Sequence, residues 1–296
     1  MGKILITGGT GKIGKELTEL LQKKGHDVYW LSRNSKSNQT YRWSLEDNYI
    51  DPKALENLYA VIHLAGANLF AKRWSNSYKK EIIDSRTLSI QLIDQKLKEM
   101  ELTVPKLISA SGVGYYGMIN SIKPMSETDP PNNDFLSTVC IEWEKSVLET
   151  SQFNQKTILR IGAVLGQGFD AFEKLIQPIK WGVKVIPGNG EQLFPWISSS
   201  DAVRCFDFFI QNEQSGIFNL SGTEQLTIRE LNDELANHLG KSGINFSVPG
   251  ILMLMGLGEV ANILLKGPEI NNEKLLATGF ELEHPTIKQF LKQLED

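Results

Sequence analysis

The sequence predicts an α/β fold, with a doubly wound parallel sheet in its first half and a smaller α/β lobe after it. Short apolar runs alternate with amphipathic stretches of helical periodicity through the first half of the 296-residue chain. A glycine-rich segment lies between the first apolar run and the first helical stretch. Beyond Gly166, prolines and glycines divide the chain into short apolar pieces. Repeated strand–helix–strand units imply a parallel sheet that helices cover on both faces.

The apolar runs indicate where the strands lie, and the amphipathic stretches indicate the helices. We predict strands at 3–7, 28–32, 39–43, 60–64, 106–110 and 157–161. Helices are predicted near 12–24, 74–99 and 134–150. In the second half, we predict helices at 201–211 and 227–239 and a further helical region at 249–293.

The glycine-rich segment Thr7-Gly8-Gly9-Thr10-Gly11-Lys12-Ile13-Gly14 directly follows the first strand. Gly8 permits a tight turn, Gly11 leaves room for phosphates, and Gly14 lets the helix pack close to the strand. The helix N-terminus behind such a turn presents free N–H groups to a pyrophosphate. Strand, turn and helix in this order predict a Rossmann-like dinucleotide-binding site. The candidate contacts in this segment are Gly8, Thr10, Gly11, Lys12, Ile13 and Gly14.

Near Gly166 the long apolar and helical stretches give way to short apolar pieces divided by prolines and glycines, and this change predicts two unequal lobes. We expect a dinucleotide-binding domain at 1–165, which also includes about 192–222. The smaller lobe, for a substrate or a partner, is predicted at 166–191 and 223–296. Its last part is expected to form a helical cap.

The end of the second predicted strand indicates which dinucleotide binds. An NAD-selective site places an acidic side chain there for the ribose hydroxyls, whereas this chain has Ser32 followed by Arg33. A guanidinium beside a small hydroxyl suits a 2′-phosphate, because its planar fork donates charge-assisted hydrogen bonds. We therefore expect NADP(H), with NAD(H) as the less favoured cofactor. The alternative is an arginine on a solvated turn.

The fourth predicted strand ends at Leu64 and runs into Ala65 and Gly66, whose small side chains let a ribose and a pyrophosphate pass over the backbone. His63, at the end of this strand, is expected to be a packed residue rather than a catalyst. Leu64, Ala65 and Gly66 are further candidate cofactor contacts.

In the next helix, Glu81, Ser85 and Arg86 are spaced to share one face. If that face meets the sheet edge, Arg86 can hold a phosphate or ribose of the cofactor, and Glu81 lies beside it. A plain surface Glu–Arg neighbourhood is the equally weighted alternative.

Composition excludes several classes of partner. The net charge of −4 argues against nucleic acid and against anionic membrane surfaces. The two cysteines, Cys140 and Cys205, are too few for a disulfide framework or a metal cluster, which favours a reducing compartment. No apolar stretch has the uninterrupted length of a membrane helix. The N-terminus enters a strand at once, leaving no room for a signal peptide, so we expect a cytoplasmic protein.

Several segments together resemble a known superfamily. The glycine-rich segment, His63-Leu64-Ala65-Gly66 and Arg160-Ile161-Gly162-Ala163-Val164-Leu165-Gly166 are similar to the extended short-chain dehydrogenase/reductases, the NAD(P)-dependent epimerases and dehydratases. Val164 in the last of these is a further candidate cofactor contact.

Further segments resemble one branch, the YfcH-type epimerase family of uncertain function. They are Lys72-Arg73-Trp74, Asp84-Ser85-Arg86, 109–117, Asp134-Phe135-Leu136, Phe194-Pro195-Trp196-Ile197 and 274–280. The similarity extends over essentially the whole chain.

The superfamily resemblance implies a catalytic Ser or Thr together with a Tyr-x-x-x-Lys pair on one helix. Ser111 matches the serine. Where the pair is expected, the chain has Phe135 with Val139 in one register, or Leu136 with Cys140 in the other. A phenylalanine or leucine has no proton to transfer, so the usual acid/base pair is absent.

Four side chains are candidates to replace the missing groups or to assist the substrate. Tyr115 and Tyr116 lie close behind the fifth predicted strand and are weighed as catalysts against a role in shaping the site. Cys140 is expected to be buried and inert. Glu127 is expected either to hydrogen-bond a substrate hydroxyl or to be exposed to solvent.

The predicted second lobe contains an aromatic segment before a helix. Phe194 and Trp196 are expected either to line a pocket between the lobes or to be core residues. Asp201 is expected to cap the N-terminus of the following helix.

Two functions fit these observations. The first is an NADP(H)-binding oxidoreductase or epimerase that acts on an unknown small polar substrate, with Ser111 orienting a carbonyl. The second is a catalytically silent NADP-binding sensor or scaffold that acts through a protein partner. Because some members of the resembled branch are linked with cell or plastid division, a division-associated partner is the form that this alternative takes.

Overall fold

A computed structural model of the chain describes residues 2–33 and 38–294. Its strands are β1 Lys3–Thr7, β2 Asp27–Ser32, β3 Thr40–Ser44, β4 Tyr49–Ile50, β5 Leu58–His63, β6 Val104–Gly112, β7 Phe153–Ile161, β8 Ala163–Leu165, β9 Val183–Pro187, β10 Trp196–Ser198, β11 Gly216–Leu220 and β12 Ile244–Val248.

The helices are distributed over the whole chain. They are α1 Lys12–Lys23, α2 Pro52–Leu55, α3 Asn76–Glu99, α4 Phe135–Leu148, α5 Asp170–Lys180, α6 Ser199–Gln211, α7 Ile228–His238, α8 Gly250–Leu257, α9 Asn262–Leu265, α10 Glu273–Leu276 and α11 Ile287–Gln293. Two 3₁₀ turns occupy Val113–Tyr116 and Gly258–Ala261. Within the described ranges, no helix is long and apolar enough to cross a membrane.

An eight-stranded sheet forms the centre of the molecule, in the order β11-β7-β6-β5-β1-β2-β3-β4. Every pairing in it is parallel except that of β4 with β3. From β1 the chain proceeds to β2 and β3 on one side, and from β5 to β6 and β7 on the other. The direction therefore reverses between β1 and β5, where open α/β sheets bind their ligands. The predicted doubly wound, Rossmann-like fold is confirmed.

Two large hydrophobic cores hold the helices against the strands and against one another. The larger core is built on the central strands, where β1 buries Ile4, Leu5 and Ile6 completely. The second core lies between α5, α7 and α11, with Trp196 and Phe290 at its centre. A fully apolar strand such as β1 requires cover on both faces, which the helices beside the sheet provide.

Outside the main sheet, two pairs of short strands extend the structure. β10 pairs with β8, and β12 pairs with β9, each in parallel. The chain from 249 to 293 is not the continuous helical region that the sequence predicts. It contains α8, α9, α10 and α11 with loops between them, because Gly258, Pro268 and Gly279 interrupt the helical pattern. The division into two domains remains a prediction.

Gly14 allows α1 to pack directly against the turn that precedes it. A Cβ at this position would lie 2.6 Å from the Cα of Gly9 and 2.8 Å from the carbonyl oxygen of Gly8. Both neighbours are backbone atoms, so the clash cannot be relieved by a side-chain rotation. The helix begins where the glycine turn ends, and the two are therefore packed as one unit.

We expect Gly14→Ala to lower the free energy of unfolding by about 1–3 kcal/mol, because the added methyl overpacks a backbone contact. Denaturant titration followed by circular dichroism measures it. Gly256→Ala is the control, since its Cβ would meet nothing within 4 Å and alanine favours a helix by about 1 kcal/mol. A Gly14→Ala protein as stable as the Gly256→Ala protein would contradict the close packing.

Candidate functional site

The strand register places three predicted segments side by side at one edge of the sheet. Thr7 at the end of β1 pairs with Leu31 of β2 and with His63 of β5. The next residues along the three strands are Gly8, Ser32 and Leu64. The glycine turn therefore lies between the two strand ends that the sequence predicts to contact a cofactor.

The glycine turn brings backbone close to backbone. Gly8 has φ of +73°, and a Cβ there would lie 2.9 Å from the carbonyl carbon and oxygen of Leu64. Gly11 is the N-cap of α1 and has no side chain to accept a hydrogen bond from the first amides of the helix. A turn without side chains and an uncapped helix N-terminus suit a pyrophosphate, so these residues fit a dinucleotide.

Thr7 and His63 hold the end of β5 against the turn. The hydroxyl of Thr7 accepts hydrogen bonds from the amides of Leu64 at 3.2 Å and Ala65 at 3.1 Å. It lies 2.8 Å from Nδ1 of His63, whose Nε2 lies 2.9 Å from the carbonyl oxygen of Arg86. Burial lowers the pKa of His63 to about 4, so the ring is neutral. His63 is the packed residue that the sequence predicts.

Arg86 lies beneath the loop that follows β5. Its guanidinium donates to the carbonyl oxygens of Ile82 at 2.8 Å and Ala67 at 3.1 Å and lies over the ring of Trp143. A Cβ on Gly66 would lie 2.8 Å from its Cζ. Burial lowers the pKa of Arg86.

The surface Glu–Arg neighbourhood considered for Arg86 is not present, because Glu81 pairs instead with Lys72 at 3.6 Å. Arg86 supports the loop from below. Direct contacts of Glu81 and Arg86 with a cofactor remain predictions.

A cavity of about 920 Å³ opens at the glycine turn. The predicted cofactor residues that line it are Gly8, Gly11, Lys12, Ile13, Gly14, Leu64 and Val164. The predicted residues that lie outside its lining are Thr10, Ser32, Arg33, Ala65, Gly66, Glu81 and Arg86. Ser32 lies next to the turn by register, and Arg33 is exposed behind it.

Sequence reasoning missed most of the remaining lining. It comes from the loop after β5, from α5, and from the segment that contains α8 and α9. These residues include Asn68, Phe70, Lys72, Arg73, Phe169, Asp170, Lys174, Met253, Leu257, Val260, Ile263 and Leu264. The signal that could have indicated the last group is the apolar sequence of α8, which has no charged residue.

Ser111 and Tyr116 belong to a closed polar network between β6, β7 and α4. Ser111 donates to Oε1 of Glu144 at 2.8 Å, and Glu144 receives two hydrogen bonds of 2.8 Å from Arg160. Arg160 also donates to the hydroxyl of Tyr116 at 3.0 Å. That hydroxyl donates to Oδ1 of Asn219 at 2.7 Å. All five side chains are buried.

This network supplies hydrogen-bond partners to Ser111 and Tyr116, two of the side chains that the sequence predicts as candidate catalysts. Burial raises the pKa of Tyr116 to about 12, and Tyr115 stacks its ring 3.3 Å from Cζ of Arg160. Ser111, Tyr115 and Tyr116 do not line the cavity. Their catalytic role remains a prediction, and their contacts describe a positioning function.

Two further candidates have structural partners. Burial raises the pKa of Cys140 to about 12, so the thiol is protonated and inert, as predicted. Glu127 accepts a hydrogen bond of 2.7 Å from the backbone N–H of Asn219. It is half-buried, and neither of the two expectations for Glu127 describes this contact.

Of the two aromatic residues before α6, one lines the cavity and the other is a core residue. Phe194 lines the cavity, whereas Trp196 is a core residue with 1% exposure. The prediction that Asp201 is the N-cap of α6 is wrong. Ser198 is the N-cap, and Asp201 accepts from the hydroxyl of Ser198 and from the amides of Glu283 and His284.

A parallel sheet that reverses at β1, with a glycine turn opening α1 at the reversal, defines the Rossmann-like class of α/β proteins. The model of the NAD dependent epimerase/dehydratase family matches residues 4–221, and the chain belongs to this family. Residues 248–294 match a second model, described as a domain of unknown function, DUF1731.

Similar proteins occur in bacteria and mammals. The epimerase family protein Mb2239 of Mycobacterium bovis is 30% identical over 97% of this chain and 96% of its own. The mouse epimerase family protein SDR39U1 is 29% identical over 99% of both chains. The crystal structure of human SDR39U1 with NADPH has a TM-score of 0.87 and 26% identity, over 98% of both chains.

The lowered pKa of His63 predicts a pH dependence of stability. Its pKa near 4 in the folded protein lies below the unfolded value of about 6.5. The stabilising effect is therefore complete above pH about 6.5 and is lost as pH falls towards 4, by up to about 3 kcal/mol. Urea titrations of wild type and His63→Gln between pH 7.5 and 4.5 measure it. We expect the two to converge as pH falls; parallel curves would contradict this account.

Removal of one charge from the buried pair should lower the free energy of unfolding much more than removal of a half-buried carboxylate on the same helix. We expect Glu144→Gln to lower the free energy of unfolding by about 3–5 kcal/mol, because it leaves the Arg160 guanidinium buried without its carboxylate. Glu142→Gln, on the same helix and half-buried, is the control and should change it by less than about 0.5 kcal/mol. Equal losses in the two variants, measured by denaturant unfolding, would exclude this role for Arg160.

Proposed function

We propose that this protein binds NADP(H) in the crevice between β1 and β5, with NAD(H) as the weaker ligand, and acts as an oxidoreductase or epimerase of its family. The observation that carries the proposal is the side-chain-free turn at Gly8 and Gly11, which opens α1 onto a large cavity at the strand reversal. Further support is the likeness to human SDR39U1, whose structure contains NADPH.

When bound, the nicotinamide would supply hydride transfer. The residues of the chain bind and orient the nucleotide: Gly11 and the first amides of α1 face its phosphates, and Lys12 adds a positive charge at the same place. Ser32 and Arg33 at the end of β2 replace the carboxylate of an NAD site, which favours a 2′-phosphate.

The polar network of Ser111, Glu144 and Arg160 fixes the ends of β6 and β7 beside the crevice. Because the proton of Ser111 is directed to Glu144 at 2.8 Å, the serine offers only a lone pair to a substrate until that contact breaks. The substrate's proton must come from another group or from water. Lys12, Lys72, Asp170 and Lys174 line the cavity and are its side chains that could exchange a proton in this step.

The second candidate is a catalytically silent sensor whose nucleotide sets its shape for a protein partner. The observation that favours it is the closure of the network around Tyr116. The resemblance adds that neither Phe135 with Val139 nor Leu136 with Cys140 supplies the expected Tyr-x-x-x-Lys pair. In that case the cavity would bind NADP(H) without turnover.

We expect NADP⁺ to bind more tightly than NAD⁺ in calorimetric titrations of the full chain. Arg33→Ala should weaken NADP⁺ binding about tenfold and leave NAD⁺ unchanged, because a charged hydrogen bond to the 2′-phosphate is lost. Ser32→Asp should also weaken NADP⁺ selectively by charge repulsion.

The matched control is Arg229→Ala, an arginine of α7 that lies outside the cavity lining and pairs with Glu191. It should change neither affinity. If NAD⁺ binds as tightly as NADP⁺ and Arg33→Ala changes neither affinity, the assignment of NADP(H) is contradicted. If neither nucleotide binds, the proposed function is overturned.

A further inference from the structure

The half of the cavity away from the glycine turn has an apolar wall. Met253, Leu257, Val260, Ile263 and Leu264 contribute this wall from α8, α9 and the turn between them. Val185 of β9, Ile228 of α7, and Phe169 and Leu175 of the α5 region face the same space. A nicotinamide nucleotide needs polar contacts along its ribose and phosphates, so this half is suited to a different molecule.

Two buried amides in the lining have their side-chain nitrogens bonded within the fold. The side-chain nitrogen of Gln192 donates to the carbonyl oxygens of Pro187 at 3.0 Å and Leu264 at 2.6 Å. The side-chain nitrogen of Asn232 donates to the carbonyl oxygen of Ile228 at 2.8 Å. Both residues are buried. Their nitrogens are therefore not available to a ligand, and this part of the cavity offers few hydrogen-bond donors to the many hydroxyls of a sugar.

The mouth of the cavity has the opposite character. Lys12, Lys72, Arg73 and Lys174 line it and are exposed, and Asp170 is the acidic residue of the described lining. Lys72 is paired with Glu81. Within residues 2–33 and 38–294, no carboxylate lies within ion-pair distance of Arg73 or Lys174, and the ammonium of Lys174 lies 5.2 Å from the ring of Phe70. Two cations at the entrance of an apolar space are thus available to an anion.

α8 separates this apolar space from solvent. Met253 and Leu257 line the cavity, while Ile251 and Met255 on the same helix are 69% and 70% exposed. The helix is therefore a thin wall, and its two faces can be tested separately by substitution.

We propose that this cavity binds an elongated apolar ligand with a single anionic group, its chain or rings against the α8–α9 wall and its charge at Arg73 and Lys174. The proposal rests on the proposed function, because the nucleotide would occupy the glycine-turn half and leave the apolar half for the substrate. The volume of about 920 Å³ lies at the upper end of the usual range for ligand pockets, about 300–1,000 Å³. This ligand class differs from the small polar substrate that the sequence suggests.

Dansyl-undecanoic acid and its methyl ester test the proposal, since they share chain and fluorophore and differ only in charge. Each is titrated into the full-length protein, with and without saturating NADP⁺, and the dansyl emission is followed. We expect the acid to bind and the ester to bind several-fold more weakly. Lys174→Gln should weaken the acid about fivefold, as expected for an exposed ion pair, and leave the ester unchanged. Lys180→Gln, on the same helix and outside the cavity lining, is its control.

The apolar wall is tested by a second matched pair on α8. Met253→Asp should abolish binding of the acid and weaken the ester, because it places a carboxylate in the apolar wall that also repels the acid, whereas Ile251→Asp on the exposed face should leave both unchanged. Any of three results would overturn the proposal. They are equal affinities of the acid and the ester, equal effects of the two α8 variants, and displacement of the acid by UDP-glucose. Because NADP⁺ binding is measured separately by calorimetry, these results leave the proposed function intact. Loss of NADP⁺ binding with the acid still bound would overturn the proposed function alone.

Discussion

The contact on which the site depends is the approach of the Gly8 backbone to the backbone of Leu64. A single Cβ at Gly8 would stand 2.9 Å from the neighbouring peptide group, so the two strand ends can meet only if no side chain lies between them. The hydroxyl of Thr7 then bridges the amides of Leu64 and Ala65. Sheet register, glycine turn and helix N-terminus are positioned together by this one contact.

A second constraint lies between β6, β7 and α4, the helix on which the resembled superfamily is expected to have its Tyr-x-x-x-Lys pair. Here Arg160 and Glu144 form a buried ion pair whose remaining hydrogen bonds are supplied by Ser111 and Tyr116. Such a pair is retained only when its geometry offsets the loss of hydration. The side chains that hold it, Ser111 and Tyr116, would have to give up these hydrogen bonds to reach a substrate.

The first half of the fold could be predicted because its strands are continuous apolar runs and its helices are amphipathic. β1 and α1 begin at the predicted residues 3 and 12. In the second half, α6 and α7 lie where the sequence predicts helices. The strands β8, β9, β10 and β12 could not be predicted, because they are short and only partly apolar, and each pairs with a strand distant in sequence. α5 contains Pro178 in its last turn, which resembles a break in the sequence.

The glycine turn on one side of the cavity could be predicted because a turn without side chains has a local signature. The opposite wall could not, since Met253 and Leu257 come from a segment far along the chain, whose position depends on the pairing of β12 with β9. The two halves of the cavity thus belong to different stretches of sequence. Under the proposed function, substitutions between 250 and 264 would alter ligand preference while the residues before 15 keep their affinity for the nucleotide, and new specificities could arise on an unchanged cofactor platform.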